Sequence, residues 1–225
     1  MEASQAGPAG PAPRREADIA PAPEAAARAG GWSPANPAPL GLIAFATTTT
    51  VLSIYNANLV SRGGTLVVLP IALAYGGIAQ LLAGMWEFRT GNTFGAVLFS
   101  SFGAFWISVF FLFQFGVTSI LPKDFHNAFS VFLYAWGIVS LIMFVGSLRT
   151  SAQAAITLAL LTITFILLAI GEAKLSGTAS FTNSTIKLGG WFGIATAIGA
   201  FWGGLAGVVN STFGKTVVPI FPLKR

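Results

Sequence analysis

The residues of this sequence that could do chemistry are uncharged polar side chains placed inside long apolar segments. An amide or a hydroxyl that is away from water needs a hydrogen-bond partner, so its presence in such a segment is informative. Several of these groups facing one axis would form a polar path through an apolar layer. The amides and hydroxyls of this kind include Thr47, Thr48, Thr49, Thr50, Gln80, Ser100, Ser101, Gln114, Gln153, Thr157, Thr162 and Thr164.

Helical spacing places some of these hydroxyls on the same face as bulky apolar side chains. One face of a helix repeats every three or four residues. In the alternative interpretation, each hydroxyl bonds to a carbonyl of its own helix or joins two helices, and the apolar side chains simply pack in the core. The three faces are Phe45, Thr48, Thr49 and Leu52; Leu98, Phe102 and Trp106; and Thr157, Leu161, Thr164 and Leu168.

Two carboxylates, Glu87 and Glu172, each end an apolar segment. They are either ordinary interfacial charges, paired with Arg89 or Lys174, or groups that relay a proton or guard an anion path. For Glu87 we consider the second interpretation, in which the carboxylate relays a proton or a charge. A carboxylate beside an anion path repels the anion unless Arg89 or protonation neutralises it.

Several chemistries lack the residues that they require. Cysteine is absent, which excludes disulfides, thiolate metal sites and thiol nucleophiles. No glycine-rich phosphate loop precedes a lysine, and the single histidine, His126, is expected at the surface. Lysines and arginines are scattered rather than clustered, which argues against nucleic-acid binding. We therefore expect neither an enzyme nor a bound cofactor or metal ion.

The elements that hold these residues are predicted to be transmembrane helices. Hydrophobic residues make up 54% of the chain and charged residues 8%, against about 25% charged residues in soluble domains. Six segments without any charged residue or histidine are long enough for the roughly 20-residue helix that spans a bilayer. Membrane-barrel strands would instead alternate apolar and polar residues. We thus predict an all-α bundle with six helices, at residues 40–60, 65–86, 94–117, 128–148, 152–171 and 188–209.

The connectors between these segments are short, which favours antiparallel neighbours. Most of the twelve lysine and arginine residues lie on one side if both termini are cytoplasmic, and this is the predicted orientation. Residues 1–35 are rich in Ala and Pro and are predicted to form a disordered tail. Residues 36–220 form the membrane domain, and residues 221–225 form a short basic tail.

Ordered motifs connect the chain to a known family. The run NPAPLGL at residues 36–42 strongly resembles the signature of the acetate uptake transporter family, the YaaH-type succinate-acetate permeases. Similar stretches follow in family order as far as residue 220. They are YGGIAQ at residues 75–80, GNTFG at 91–95, FW at 105–106, LAIG at 168–171, GW at 190–191 and FGKTVVP at 213–219.

The resemblance implies a multi-pass protein of the cell membrane, commonly a homohexamer, that passes acetate and in some members succinate or other short carboxylates. It also implies an apolar constriction formed by side chains of the first, third and fifth helices. By motif distance these are Phe45, Phe102 and Leu161. Phe102 stands where the family often has Tyr, which removes a hydrogen-bond donor and makes the constriction drier.

We expect the substrate path to contain polar groups beside this gate. Asn36 is expected to order the turn before the first helix, Thr48, Thr49 and Thr164 to offer hydrogen-bond donors, and Gln80 to lie on the path. Members of the family resemble either anion channels or proton-coupled carriers, and both modes of transport stay open here. The alternatives are a channel for a neutral solute such as urea or ammonia and a membrane sensor or scaffold that transports nothing.

Overall fold

The structure, a computed structural model, describes Trp32, residues 34–176 and residues 182–223. Its framework is six apolar helices, each long enough to cross a bilayer, and this confirms the predicted fold class. The predicted tail of residues 1–35 lies almost wholly outside the described residues. The helices are α1 (Ala38–Asn56), α2 (Arg62–Thr90), α3 (Thr93–Ser119), α4 (Pro122–Ser147), α5 (Ala152–Ala173) and α6 (Ser184–Phe213).

Polar residues in the connectors decide where three of the helices begin. The Asn92 side chain accepts a hydrogen bond from Gly95 N–H at the start of α3. Ser151 accepts one from Ala154 N–H at the start of α5, and Asn183 caps α6 in the same way. Each such cap satisfies a backbone N–H that has no partner inside the helix, which stabilises the helix by about 1 kcal/mol.

Two helices contain turns of π-helix, which the sequence pattern did not indicate. In α2 the π-helical turn spans Ala74–Ala79, and α-helical geometry resumes at Gln80. In α3 the π-helical turn spans Leu112–Gly116. Such turns are rare in proteins and are found frequently at functional sites.

The six helices are arranged around a common axis. Helix α5 packs against α4 and α6, α6 packs against α1, α1 packs against α2, and α2 packs against α3. Helix α3 also touches α4 and completes the circle. We call the end of the bundle where α1 begins and α6 ends the lower end, and the opposite end the upper end.

Helices α1 and α6 are antiparallel and approach each other closely through glycines. Near the lower end Gly207 faces the ring of Pro39, and near the upper end Gly190 lies directly against the backbone of Asn56 and Ala57. A Cβ atom at position 190 would overlap the Ala57 backbone nitrogen. Glycine at this position therefore sets the distance between the two helices.

Candidate functional site

A cavity of about 290 Å³ opens at the lower end of the bundle. Its walls are mostly apolar, and each of the helices α1, α2, α3, α5 and α6 contributes to them. Few of its lining residues are polar. The polar lining residues are Gln80, Asn92, Thr150, Ser151, Gln153 and Thr157.

The inner end of this cavity is closed by Phe45, Phe102 and Leu161. Along α1, α3 and α5 these are the lining residues that lie farthest from the lower end. The rings of Phe45 and Phe102 are 5.6 Å apart between centroids and tilted by 60°. Phe102 is 1% exposed, and the other two side chains are buried as well. The structure thus brings the three predicted gate residues together at one level of the bundle.

Further aromatic side chains hold Phe102 in position. Its ring is stacked on Phe165, with centroids 6.3 Å apart and planes 10° apart, and it also contacts Trp136 at 6.3 Å. Phe165 in turn meets Phe105 edge to face at 5.2 Å. Aromatic pairs of this kind contribute about 0.5–1.5 kcal/mol each beyond area burial. The constriction therefore has a rigid wall on the side of α3, α4 and α5.

Gln80 lines the cavity from α2 and is 1% exposed. Within the described part of the chain, its carboxamide oxygen has no hydrogen-bond partner. A buried polar atom without a partner costs about 1–3 kcal/mol. An amide oxygen only accepts, so a group in the cavity that donates a hydrogen bond, such as a water molecule or a protonated carboxylic acid, could satisfy it.

Two polar residues of α5, Gln153 and Thr157, lie nearer the lower end. Gln153 Nε2 donates to the Gly199 carbonyl at 2.6 Å and to Thr157 Oγ1 at 3.2 Å, and Thr157 Oγ1 donates to the Gln153 carbonyl at 2.8 Å. Both residues line the cavity. The sequence places Thr157 on one helix face with Leu161, but neither Thr157 nor Gln153 was among the residues predicted for the substrate path. The spacing of four residues from Gln153 to Thr157 and from Thr157 to Leu161 was a usable signal.

Glu87 is a buried carboxylate behind the cavity wall, 1% exposed. Its Oε2 accepts hydrogen bonds from Asn92 Nδ2 at 2.8 Å and from Thr90 Oγ1 at 3.3 Å. Its Oε1 has no hydrogen-bond partner among the described residues. Asn92 lines the cavity, so its side chain connects Glu87 to the cavity. Glu87 is therefore a buried carboxylate near the lower end of α2, and its role as a relay stays a prediction.

The three predicted hydroxyl donors lie one helical turn above the constriction and do not line the cavity. Thr48 Oγ1 donates to the Ala44 carbonyl at 3.0 Å, and Thr164 Oγ1 donates to the Leu160 carbonyl at 2.8 Å. Both hydroxyl hydrogens are thus used inside their own helices. Thr49 Oγ1 is buried without a partner in the described residues, so it alone of the three is unsatisfied.

Asn36 lies just before α1 and is exposed. Its side-chain oxygen accepts a hydrogen bond from Ala38 N–H at 3.0 Å, which fixes the backbone of this turn. Ala38 lines the cavity, whereas Asn36 does not. The residue therefore contacts the rim of the cavity only through the turn that it orders.

At the upper end, the charged residues pair differently from what we expected. His126 Nδ1 lies 2.7 Å from Glu172 Oε2, and both side chains are partly buried. Lys174 Nζ, the partner expected for Glu172, donates instead to Thr185 Oγ1 at 3.0 Å. His126 lies in the first turns of α4 rather than in a connector and is partly buried, because the start of α4 packs against the end of α5 and brings the two groups together.

Comparison with known proteins identifies the relatives of this chain. The sequence model of the GPR1/FUN34/yaaH family matches residues 21–225. Acetate permease A of Emericella nidulans is 37% identical over 195 residues, which cover 83% of this chain and 65% of that protein. The succinate-acetate/proton symporter SatP of Escherichia coli is 36% identical over 189 residues, which cover 83% of this chain and 95% of that protein.

The fold has a solved counterpart. The structure of the bacterial acetate channel SatP is 35% identical in sequence, with a TM-score of 0.73, and the match covers 84% of this chain and 99% of that one. The chain belongs to the GPR1/FUN34/yaaH family. Together with the six spans, this makes it a multi-pass membrane protein.

Proposed function

We propose that this member of the GPR1/FUN34/yaaH family transports acetate, and also succinate or other short carboxylates, across the membrane. The observation that carries the proposal is the cavity at the lower end, which stops at Phe45, Phe102 and Leu161. The relatives support it, because proteins named acetate permease and succinate-acetate symporter are 36–37% identical to this chain. Each subunit would then contain its own path.

The size and lining of the cavity suit a small, partly apolar anion. Its volume of about 290 Å³ is at the lower limit of small-molecule pockets, which measure about 300–1,000 Å³. The mostly apolar wall accommodates the methyl group of acetate, and few polar groups are available to hold its carboxylate too tightly. A path must bind its ion weakly enough to release it.

The polar residues would act in sequence along this path. Gln80 would replace part of the hydration shell of the carboxylate at the level of the apolar constriction, by donating from its amide nitrogen. Above the constriction, Thr49 is the hydroxyl best placed to act next, since it is buried without a partner in the described structure. Thr48 and Thr164 would take part only after their hydroxyl groups leave the Ala44 and Leu160 carbonyls.

Glu87 is the titratable group that we propose as a proton or charge relay. It reaches the cavity through Asn92, and its Oε1 has no partner in the described part of the chain. One relative is named a proton symporter and another a channel, so the test must distinguish the two modes. Acetate uptake by a symporter collapses when the pH gradient is removed, whereas uptake by a channel follows the membrane potential.

The lower end of the bundle is proposed to face the cytoplasm, with both termini on that side. The positive-inside rule supports this orientation when the tails are counted. Four of the twelve lysines and arginines, Arg62, Lys123, Lys174 and Lys187, lie toward the upper end, and the other eight lie at the lower end or belong to the two tails. The variant Arg149→Cys tests this orientation in intact cells. A membrane-impermeant maleimide labels the cysteine there only if residue 149 faces the outside. Labelling only after the membrane is permeabilised is the expected result.

We also propose that the protein forms a homo-oligomer, and the family resemblance implies a hexamer. A groove on the outer surface of α1 and α6, lined by Ile43, Ile198, Phe201, Trp202, Leu205 and Val208, supports close packing against a second copy. Native mass spectrometry of the purified protein measures the number of chains. A monomer in lipid nanodiscs would contradict this proposal and leave the path within each subunit unaffected.

Uptake of radiolabelled acetate into proteoliposomes tests the proposed function. Liposomes that contain the folded protein should accumulate acetate faster than protein-free liposomes, and unlabelled acetate or succinate should compete. Unlabelled urea should not compete. Folded protein without any acetate flux would exclude transport and favour a sensor or scaffold.

A further inference from the structure

The chain after α6 folds back across the lower end of the bundle. Helix α6 ends at Gly214, whose φ of +64° lies in the left-handed region that favours glycine. Residues 214–223 then run from this point to the beginning of α5. We call residues 214–223 the carboxy-terminal strap.

Two side chains of α6 hold the first part of this strap. Asn210 Oδ1 accepts hydrogen bonds from Val217 N–H at 2.7 Å and Val218 N–H at 2.9 Å, and Asn210 Nδ2 donates to the Val218 carbonyl at 2.9 Å. Trp202 Nε1 donates to the Pro219 carbonyl at 2.8 Å. One asparagine therefore satisfies three backbone groups of the strap, which fixes its path.

The last part of the strap pairs with the backbone at the start of α5. Ala152 N–H donates to the Phe221 carbonyl at 2.8 Å, Gln153 N–H donates to the Ile220 carbonyl at 3.4 Å, and Leu223 N–H donates to the Thr150 carbonyl at 3.0 Å. The first N–H groups of a helix have no partner inside it. The strap supplies acceptors for two of these groups in α5.

This pairing brings Ile220 into the wall of the cavity. Ile220 is the strap's contribution to the lining, next to Thr150, Ser151 and Gln153, the residues with which the strap pairs. Because these residues lie at the lower end, Ile220 is at the mouth of the cavity. The cavity thus has Phe45, Phe102 and Leu161 at its inner end and the side chain of Ile220 at its opening.

We propose that Ile220 is a specificity-determining residue, which limits the length of the carboxylates that enter the cavity. This inference rests on the proposed transport function. The branched side chain occupies space beside Gln153 that a longer acyl chain would need. Asn210 is a positioning residue in this arrangement, since it holds the strap and does not line the cavity.

Competition between carboxylates of different length tests the proposal in proteoliposomes. In Ile220→Ala the flux of butyrate relative to acetate should rise about 10-fold, the lower end of what a change of one methylene in an apolar pocket produces. Val217→Ala is the matched control, because Val217 belongs to the same strap, is exposed and does not line the cavity. Its butyrate-to-acetate ratio should equal that of the wild type.

Two further variants keep the test decisive if Ile220→Ala does not fold. Ile220→Val removes one carbon and should raise the ratio by a smaller factor in the same direction. Asn210→Ala should raise it although every lining side chain is kept, because the strap then loses all three hydrogen bonds to this side chain. Asn210→Asp should raise it less than Asn210→Ala does, because a carboxylate still accepts from Val217 and Val218 N–H but no longer donates to the Val218 carbonyl.

The outcomes separate this inference from the proposed function. If folded Ile220→Ala and Ile220→Val transport acetate with the wild-type butyrate ratio, Ile220 does not determine specificity, and acetate transport itself stands. If the wild-type protein transports no acetate, the proposed function fails before the strap is tested.

Discussion

Phe45 of α1 and Phe102 of α3 meet at the inner end of the cavity, with ring centroids 5.6 Å apart and planes tilted by 60°. Neither ring carries a polar atom, and Phe102 is supported from behind by Phe165 and Trp136. An ion at this level loses contact with water without gaining a charged partner. We therefore expect a transported carboxylate to meet its largest barrier at the contact between the two rings.

Replacing Phe45 by Ala should widen the constriction. We expect faster acetate flux and a smaller preference for acetate over larger anions, because the barrier of apolar side chains is lower. Removing a buried phenylalanine side chain also costs about 3–5 kcal/mol of stability, so folding must be checked. Phe111→Ala is the control, since Phe111 is exposed on α3. Unchanged flux and selectivity in folded Phe45→Ala would contradict the gate.

Replacing Gln80 by Leu should weaken acetate binding. A hydrogen bond to a charged group contributes about 1.5–3 kcal/mol, so the acetate concentration at half-maximal uptake should rise about 10-fold or more. Gln114→Leu serves as the control, because Gln114 is exposed and does not line the cavity. If the acetate concentration at half-maximal uptake is the same for both variants, Gln80 does not contact acetate on the path.

Replacing Glu87 by Gln tests the relay. Glutamine still accepts a hydrogen bond from Asn92 Nδ2 but does not take up or release a proton. If Glu87 couples protons to acetate, uptake driven by a pH gradient should fall to its level without a gradient, while acetate exchange at equal pH continues. Glu172→Gln, at the upper end, should keep its response to the gradient. An unchanged response in Glu87→Gln would exclude the relay.

Replacing Gly190 by Ala should destabilise the bundle. The added Cβ overlaps the backbone of Ala57, and forcing α6 away from α1 costs about 1–3 kcal/mol. Gly137→Ala is the matched control, because the nearest atom to its added Cβ is Phe165 Cβ at an ordinary 3.5 Å. Thermal unfolding in detergent should occur at a lower temperature for Gly190→Ala alone. Equal melting temperatures would show that the α1–α6 contact tolerates a methyl group.

Most of the fold could be predicted because charge-free segments of membrane-spanning length have few alternatives. Helix α4 begins at Pro122, earlier than predicted, since proline at the first position and Asp124 in the first turn favour a helix before the apolar residues begin. The π-helical turn at Ala74–Ala79 has no such signal, because it depends on how α2 packs against its neighbours.

The candidate site was predictable only in part. The family motifs indicate Phe45, Phe102 and Leu161, and apolar surroundings single out Gln80. The strap was missed because its pairing joins the backbones of residues far apart in sequence, such as Thr150 and Leu223, and backbone pairing leaves no mark on side-chain type. The pairing of His126 with Glu172 was missed because the two residues are 46 positions apart in the sequence.

A single cysteine in the cavity tests the path most directly, because the chain contains no cysteine of its own. Ala154 lines the cavity, whereas Thr93 is exposed near the same end and does not. Acetate uptake is measured before and after a thiol reagent, with labelling verified by mass spectrometry. We predict that modification blocks uptake in Ala154→Cys and leaves uptake in Thr93→Cys unchanged. Full labelling of Ala154→Cys with undiminished acetate uptake would contradict a path through this cavity.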